Sequence, residues 1–439
     1  MNNLNSKPII PELRFGDFYS SEQWKIRPLG KCVSRIVTKN EENNQNSLTI
    51  SSKLGLVSQL DYFNKKISAD NLSGYYLLHK GDFAYNKSYS QGYPMGAIKR
   101  LKDYDKGVVS TLYICFRAKD GYDGSFLEQY FDSGLLNSEI AKIAQEGGRA
   151  HGLLNIGVKE FFSEVNIVLP EINEQIKIAK FLSSIDKLVS ENIKKLESLM
   201  SHQKGLLQKL FPDEGKSEPE FNFTCNVKWN KKTFEEVYSL KTTNSLSRDK
   251  LNYDDGLVKN IHYGDVHTKF STLFDITKEY VPFINAEIAL DKVKEESYCQ
   301  EGDMVFADAS EDIDDVGKSI ELINLNGEKL LSGLHTILAR QKGSYLVKGF
   351  GGYLFKSEVM RKQIQKESQG AKVLGISAAR ISKIDVVYPI KQSEQQRIVD
   401  CLSSLDELID AQTKKIEILN IYKKGLMQQL FPEVKESIA

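Results

Sequence analysis

Between Asn173 and Pro212 the apolar residues Ile178, Leu182, Ile185, Val189, Leu196, Leu199, Leu206 and Leu210 fall in an unbroken 4-3 alternation, with Asn192 and Gln203 in the two remaining slots. That is a heptad seam sustained over more than four repeats, and it predicts one amphipathic helix about 58 Å long at ~1.5 Å per residue. The same pattern returns 220 residues later: Ile398, Leu402, Leu405, Ile409, Ile416, Leu419, Leu426 and Leu430, with Gln412 and Lys423 in the polar slots. From Glu174 to Pro212, 19 of 39 residues are identical to those from Glu394 to Pro432, so the chain is a duplication. Asn173 and Ser393 are expected N-caps, Gln396 is expected to complete a capping box with Ser393, and Pro212 and Pro432 stop the helices.

Helices of this length exceed what an ordinary domain buries, so the two are predicted to pair with each other. Each follows a globular segment ending in a strand-like run, Val165 to Pro170 and Ile384 to Pro389. Antiparallel pairing would then place one globular domain at each end, related by a pseudo-two-fold axis. In that pairing Asn192 and Gln412 lie near the helix midpoints, where they either share a polar layer that fixes register or sit at the wet edge of the seam. Gly205 and Gly425 interrupt good helix at equivalent points and are expected to mark a close approach of another backbone.

The globular segments are collinear with each other. Gly81-Asp82-Phe-Ala-Tyr85 matches Gly302-Asp303-Met-Val-Phe306 at an offset of 221, which also carries Gly96 onto Gly317 and Leu101 onto Leu322. Earlier, Pro11-Glu-Leu-Arg-Phe15 with Trp24 echoes Pro219-Glu-Phe-Asn-Phe223 with Trp229. The β-branched and alternating runs Gly107 to Phe116 and Leu330 to Leu338 predict strands, and Phe126 to Gln145 and Tyr353 to Gln369 predict helices. The fold class expected is mixed α/β (α+β): a first globular domain over 1–170, a central helix over 171–212, a second domain over 213–389, and a C-terminal helix and tail over 390–439.

Composition sharpens this picture only in places. The 439 residues carry 59 basic and 59 acidic side chains, so brute electrostatic attraction to nucleic acid is not expected of the whole chain. The net charge is +3 over 1–170, +2 over 171–212, −4 over 213–389 and −1 over 390–439, so partners would have to neutralise many of the phosphates of any bound DNA. The N-terminus lacks a signal-peptide core and no apolar run approaches a membrane span, which places the expectation in the cytoplasm. Cys32, Cys115, Cys225, Cys299 and Cys401 form no CxxC pair and are expected to be small buried hydrophobes without disulfide or zinc.

Where the segments differ is more informative than where they agree. After the shared Gly-Asp strand the first reads Asn86-Lys87-Ser88-Tyr89-Ser90-Gln91-Gly-Tyr93-Pro, and the second Ala307-Asp308-Ala-Ser310-Glu311-Asp312-Ile-Asp-Asp. The first loop carries donors suited to guanine O6/N7, adenine or phosphate, and the second carboxylates that accept from cytosine N4. A second variable loop contributes Arg149 and His151 in one copy and Lys372 in the other, and His335 adds to the second set. The alternative is that these are ordinary solvated loops. Along the helices, Lys194, Lys195, Glu197 and Lys204 recur as Lys414, Lys415, Glu417 and Lys424, off the seam. They are either a docking face for two identical partners or a solvated charged face.

Catalytic signatures are missing. No two prolines are adjacent, so the Asn-Pro-Pro-aromatic motif that binds a target amine in amino-methyltransferases is excluded. Gly317-Lys318-Ser319 lacks the upstream glycine of a phosphate-binding loop, because Asp312 stands there. Gly349-Phe-Gly-Gly352 is no dinucleotide fingerprint, Pro212-Asp-Glu-Gly-Lys216 lies in a linker and not in a nuclease core, and the six histidines show no metal-ligand spacing.

Taken together, these features resemble the specificity subunit of type I restriction-modification systems over essentially the whole chain. The resemblance rests on the paired Gly-Asp strands, the helix starts Pro170 to Gln175 and Pro389 to Gln395, the shared Leu-Ser-Ser-(Ile/Leu)-Asp, and the ending Lys-Gly-Leu-x-Gln-x-Leu-Phe-Pro. It implies two target-recognition domains, each contacting one half of a bipartite double-stranded DNA site. The helices would act as spacer and dock two methyltransferase subunits, with restriction subunits joining. Helix pairing and docking are expected to involve Leu182, Ile185, Asn192, Leu196, Leu402, Leu405, Gln412 and Ile416. No cofactor is expected on this chain; S-adenosylmethionine, ATP and Mg belong to the partners, and no catalysis is expected here. The runner-up is the specificity part of a type II cutting-and-modifying complex, and a different class is a coiled-coil scaffold with two protein-binding heads.

Overall fold

A computed structural model describes residues 8–51, 54–63, 71–89, 92–144, 154–370 and 372–433. The chain is mixed α/β and divides into two compact units, residues 1–193 with 414–439, and residues 194–413. The long helices run Ile172–Leu210 and Gln392–Leu430, 39 residues each. The first half of one helix shares a unit with the last half of the other, in both units, which is the connectivity of an antiparallel pair. Among the described residues no helix is long and apolar enough to cross a membrane.

Both helices begin slightly before the predicted caps. Asn173 and Ser393 lie inside the first turn, and Gln396 donates to Asp400 (2.8 Å) instead of closing a capping box. The entry is set from outside the helix. Gln175 and Gln395 donate to the carbonyls of Pro170 and Pro389 (2.9 and 2.8 Å), the prolines at the ends of the preceding strands. Their side-chain oxygens accept from Asp123 N (3.0 Å) and Val347 N (2.8 Å), in the segments that lead into the next domain helices.

The seam behaves as its periodicity requires. Ile178, Leu182, Ile398 and Leu402 are fully buried, and the remaining seam residues are buried or half-buried. Asn192 and Gln412 are both buried at 6% exposure, so neither sits at a wet edge. The glycine expectation fails: a Cβ at Gly205 or Gly425 would meet nothing within 4 Å, so no other backbone approaches there.

In the first unit a central antiparallel sheet has the order Val33–Ile36, Ile114–Ala118, Phe83–Asn86, Ala97–Arg100. The second unit repeats it with Tyr238–Lys241, Thr336–Gln341, Met304–Ala307 and Ser319–Asn324, then adds Leu273–Asp275 as a parallel edge strand. A separate strand pair in each unit, Lys25–Pro28 with Asn166–Leu169 and Trp229–Thr233 with Asp385–Pro389, brings the two ends of the globular segment together at the helix entrance. The predicted strand over 107–116 is two strands, Lys106–Val109 and Ile114–Ala118, which join different sheets; 330–338 divides likewise into Leu330–Ser332 and Thr336–Gln341. The predicted helices are also split, at Ser133-Gly134 and at Ser357. Apolar periodicity runs across such breaks because the residues on both sides face one core.

Each long helix ends as a hydrophobic plug. Phe431 packs against Trp24, Phe126 and Tyr130 at ring distances of 6.3, 5.6 and 5.6 Å. Phe211 packs in the same way against Trp229 and Phe350 (6.3 and 5.7 Å) in the other unit. Each buried ring contributes about 1.5–3 kcal/mol. The repeated Leu-Phe-Pro is therefore both a stop signal and an anchor into a domain core.

Candidate nucleic-acid interface

The Gly-Asp motif is the framework on which the variable loops stand. Gly81 and Gly302 take φ of +98° and +87°, a conformation that side-chain-bearing residues rarely adopt, and so make the tight turn into the strand. Asp82 accepts from His79 N (2.8 Å) and holds the Arg117 fork through both oxygens, at 2.9 and 2.8 Å. Asp303 does the same with Gln300 N (2.8 Å) and Arg340 (2.9 and 2.8 Å). Such bidentate pairs fix direction as well as position. Arg117 and Arg340 lie on the adjacent strands, 35 and 37 residues downstream, and pattern reading missed them because nothing local links them to the aspartates.

In the first unit the strand leads into the predicted loop. Asn86 closes an Asx turn by accepting from Ser88 N (3.1 Å), and the carbonyl of Lys87 accepts from Leu154 N (3.0 Å). The first loop thus lies beside Leu154. Tyr89 is open, at 65% exposure. Tyr93 is turned inward: its hydroxyl accepts from Lys99 Nζ (3.0 Å), which also pairs with Asp132 (2.6 Å). Gly96, with φ of +76°, returns the chain so close to Asn86 that a Cβ there would lie 2.3 Å from the Asn86 carbonyl oxygen. Ser90, Gln91, Arg149 and His151 lie outside the described residues.

The second unit brings its predicted residues together more fully. Ala309-Ser310 pairs with Leu374-Gly375, and Ile376 N donates to Asp308 O (2.8 Å), so the two variable loops form one surface. His335 joins them: Asp308 N donates to His335 O (3.0 Å), and the His335 ring nitrogen Nδ1 lies 3.2 Å from Asp308 Oδ1. Glu311, Asp312 and Lys372 are exposed nearby on these loops, and Ser310 accepts from Asp312 N (3.0 Å).

Sequence patterns missed the groups beneath this surface. The segment between the equivalent strands supplies Arg248, Tyr253, His262, Tyr263, Asp265, His267 and Lys269. Asp265 is buried and accepts from Arg248 (2.7 and 3.0 Å) and pairs with Lys269 (2.9 Å). Burial pushes its carboxyl up, but these two cations outweigh that and hold it below the usual carboxylate range. Burial and the adjacent Arg248 lower His262. His267 hydrogen-bonds through Nε2 to Ala309 O (2.9 Å), tying this segment to the loop. Among the described residues no group of three His, Cys, Asp or Glu side chains could hold a metal ion.

The helix residues predicted to pair or dock divide by burial. Leu182 and Ile185 belong to the core of the first unit and Leu402 to that of the second, while Leu196, Leu405 and Ile416 are half-buried. Lys194, Lys195, Glu197, Lys204 and their four copies are all exposed. The seam side chains are thus largely taken up by the fold, and the outer charged faces remain open.

Two similar frameworks thus carry unlike loops. Residues 226–420 match the family described as the type I restriction modification DNA specificity domain. The type I restriction enzyme MjaVIII specificity subunit of Methanocaldococcus jannaschii is 26% identical over 278 residues, covering 62% of this chain and 62% of that protein. The aligned part therefore spans less than two thirds of this relative's length. Among solved structures, the type I restriction-modification system S subunit from M. genitalium matches with a TM-score of 0.55 and 15% identity, covering 97% of this chain and 100% of that one. A chain from a structural study of complex assembly and conformational transition of the type I R-M system matches with a TM-score of 0.54 and 16% identity, covering 94% and 98%. These structural likenesses extend the fold over both units. Within residues 226–420 the chain therefore carries a domain of the type I restriction modification DNA specificity family.

Proposed function

We propose that this chain is the DNA-specificity subunit of a type I restriction-modification complex. Each globular segment contacts one half of a bipartite duplex target, and the paired helices set the distance between the half-sites. The observation that carries this reading is the repeated Asp–Arg clamp, Asp82 with Arg117 and Asp303 with Arg340, at the start of matched strands that run out into chemically different loops. A protein that contacted two identical half-sites would have no use for that difference. Two methyltransferase subunits dock on the exposed, repeated helix faces and restriction subunits complete the complex; S-adenosylmethionine, ATP and Mg act on those partners, and this chain positions DNA without catalysis of its own.

Sequencing methylated adenines in cells with and without this gene tests the reading, because loss of the chain should erase one split motif. Exchanging residues 213–389 for another recognition domain should alter one half of that motif and spare the other. A methylome unchanged by deletion, or an exchange that alters both halves, would overturn it.

A further inference from the structure

The second unit carries a continuous line of polar and aromatic side chains that extends well beyond its variable loops. At one end Tyr253 stacks on Tyr280, with ring centroids 4.5 Å apart, and Tyr280 is 69% exposed. Lys269 lies over the Tyr253 ring (5.3 Å) and donates to its hydroxyl (3.0 Å), and Arg248 donates to the same hydroxyl (3.2 Å). Buried Asp265 holds both cations from below, yet about half of each side chain still faces solvent. The line continues from Arg248 to His262 (3.2 Å), then through ring contacts to Tyr263 (4.6 Å) and His335 (5.4 Å), and ends at Asp308.

Its two ends differ chemically. The Arg248/Lys269 end holds two preorganised, half-exposed cations beside an open aromatic face, which suits phosphate and sugar. The Asp308/His335 end presents an open carboxylate oxygen, because Asp308 Oδ1 is engaged by His335 and Oδ2 has no partner among the described residues. His335 holds φ of +56°, an uncommon left-handed backbone for this residue that aims its ring at the aspartate. The pair lines a groove of about 490 Å³ that also includes Asn244, Leu246 and Leu290. A fixed carboxylate oxygen at the edge of a groove accepts from an exocyclic amino group, such as cytosine N4 or adenine N6 on the major-groove edge of a base pair.

We propose that the second unit selects an amino-bearing base through Asp308, oriented by His335, while Arg248 and Lys269 clamp the neighbouring phosphates. This rests on the DNA-specificity reading and assigns its chemistry in one half-site. The two functions separate by experiment in the native host, with the full chain and its own partners. Asp308→Asn and His335→Ala should each abolish selection at one base of one half-site, from roughly a hundredfold preference toward none, with the other half-site unchanged. Lys269→Gln should leave the motif intact, lower methylation at every site, and reduce the salt dependence of DNA binding by about one counterion. The unaltered half-site reports that each variant is folded and assembled. A motif unchanged in both Asp308→Asn and His335→Ala would overturn the proposal, as would loss of selection in the other half-site. Absence of any split motif from the unmodified protein would instead overturn the DNA-specificity reading itself.

Discussion

Asp186 and Asp406 occupy equivalent positions, 220 residues apart, in the two long helices, and each bridges its own unit with both carboxylate oxygens. Asp186 accepts from Lys423 on the other helix (2.6 Å) and from Gln129 on the domain helix (2.7 Å). Asp406 accepts from Gln203 on the other helix (2.6 Å) and from Tyr353 on the domain helix (2.5 Å). Lys423 and Gln203 are themselves equivalent. The duplicated feature is the acceptor and its geometry, while the charge of the donor has drifted. The same holds at the helix entrances. Glu174 is fully buried against the Arg14 guanidinium (2.8 and 2.7 Å) and Trp24, whereas Glu394 accepts from the backbone of Phe223 and Thr224 (2.6 and 3.0 Å). Asn222, at the position matching Arg14, instead accepts from Trp229 (3.1 Å). A buried carboxylate needs donors, and either a cation or backbone amides will serve.

The sharpest way to break this equivalence is at the entrances. Arg14→Ala strands Glu174 as a buried, unpaired charge and should cost about 3–5 kcal/mol in urea unfolding. Asn222→Ala should cost only about 1 kcal/mol, because it removes one neutral hydrogen bond. Equal losses would mean that the two anchors are not chemically different.

A second contrast lies on the matched strands Ala97–Arg100 and Ser319–Asn324, where Arg100 in one unit corresponds to Glu321 in the other. Arg100 donates to Ser125 (2.8 Å), and Glu321 accepts from Gly349 N and Gly352 N (2.6 and 2.7 Å). Burial raises the Glu321 carboxyl to about 7, against the pull of those amides. A raised carboxyl favours the folded state when protonated. Its contribution is therefore fully present below the unfolded value near 4.5 and is lost as pH rises to 7, by about 3 kcal/mol in all. Urea midpoints measured across that window should fall less steeply in Glu321→Gln than in the unmodified protein.

Glycine substitutions should give opposite signs. Gly96→Ala meets both a left-handed backbone and the Asn86 carbonyl, and should destabilise by more than about 1–2 kcal/mol. Gly205→Ala and Gly425→Ala meet nothing and should each stabilise by about 0.5–1 kcal/mol through helix propensity. The smallest effect belongs to Lys423→Gln, which copies the other unit's arrangement. With Asp186 44% exposed it should cost under about 1 kcal/mol, less as salt is added, when followed by thermal unfolding.

Much of the architecture was legible along the chain because it is periodic or repeated. The heptad seam identified the buried faces of both helices, and the Gly-Asp strands located equivalent sheets. What escaped was set by partners distant in sequence. The predicted strand over 107–116 broke because Val109 and Ile114 belong to different sheets. The expected close approach at Gly205 and Gly425 was absent, since a helix position with open space where a Cβ would stand tolerates glycine without requiring it. In the candidate interface, Asp308 and His335 were both picked out as single residues, but their 3.2 Å contact and the Arg248–Asp265–Lys269 cluster behind them were not. Exposure also redraws the helix surface: Ile418, Ile421 and Tyr422 are open apolar residues where the first copy has Ser198, Ser201 and His202, so the charged faces repeat more faithfully than the apolar ones.

By itself, the sequence determined the duplication, the length and stop points of the helices, the faces they bury, and the positions where the two copies diverge. These follow from local period and from comparing the chain with itself. Tertiary structure alone decided which donors satisfy Asp82, Asp303, Glu174 and Glu394, and which polar groups meet at the second unit's surface. A buried carboxylate can be satisfied by any donor that the fold delivers within about 3 Å, and sequence spacing carries no record of that delivery.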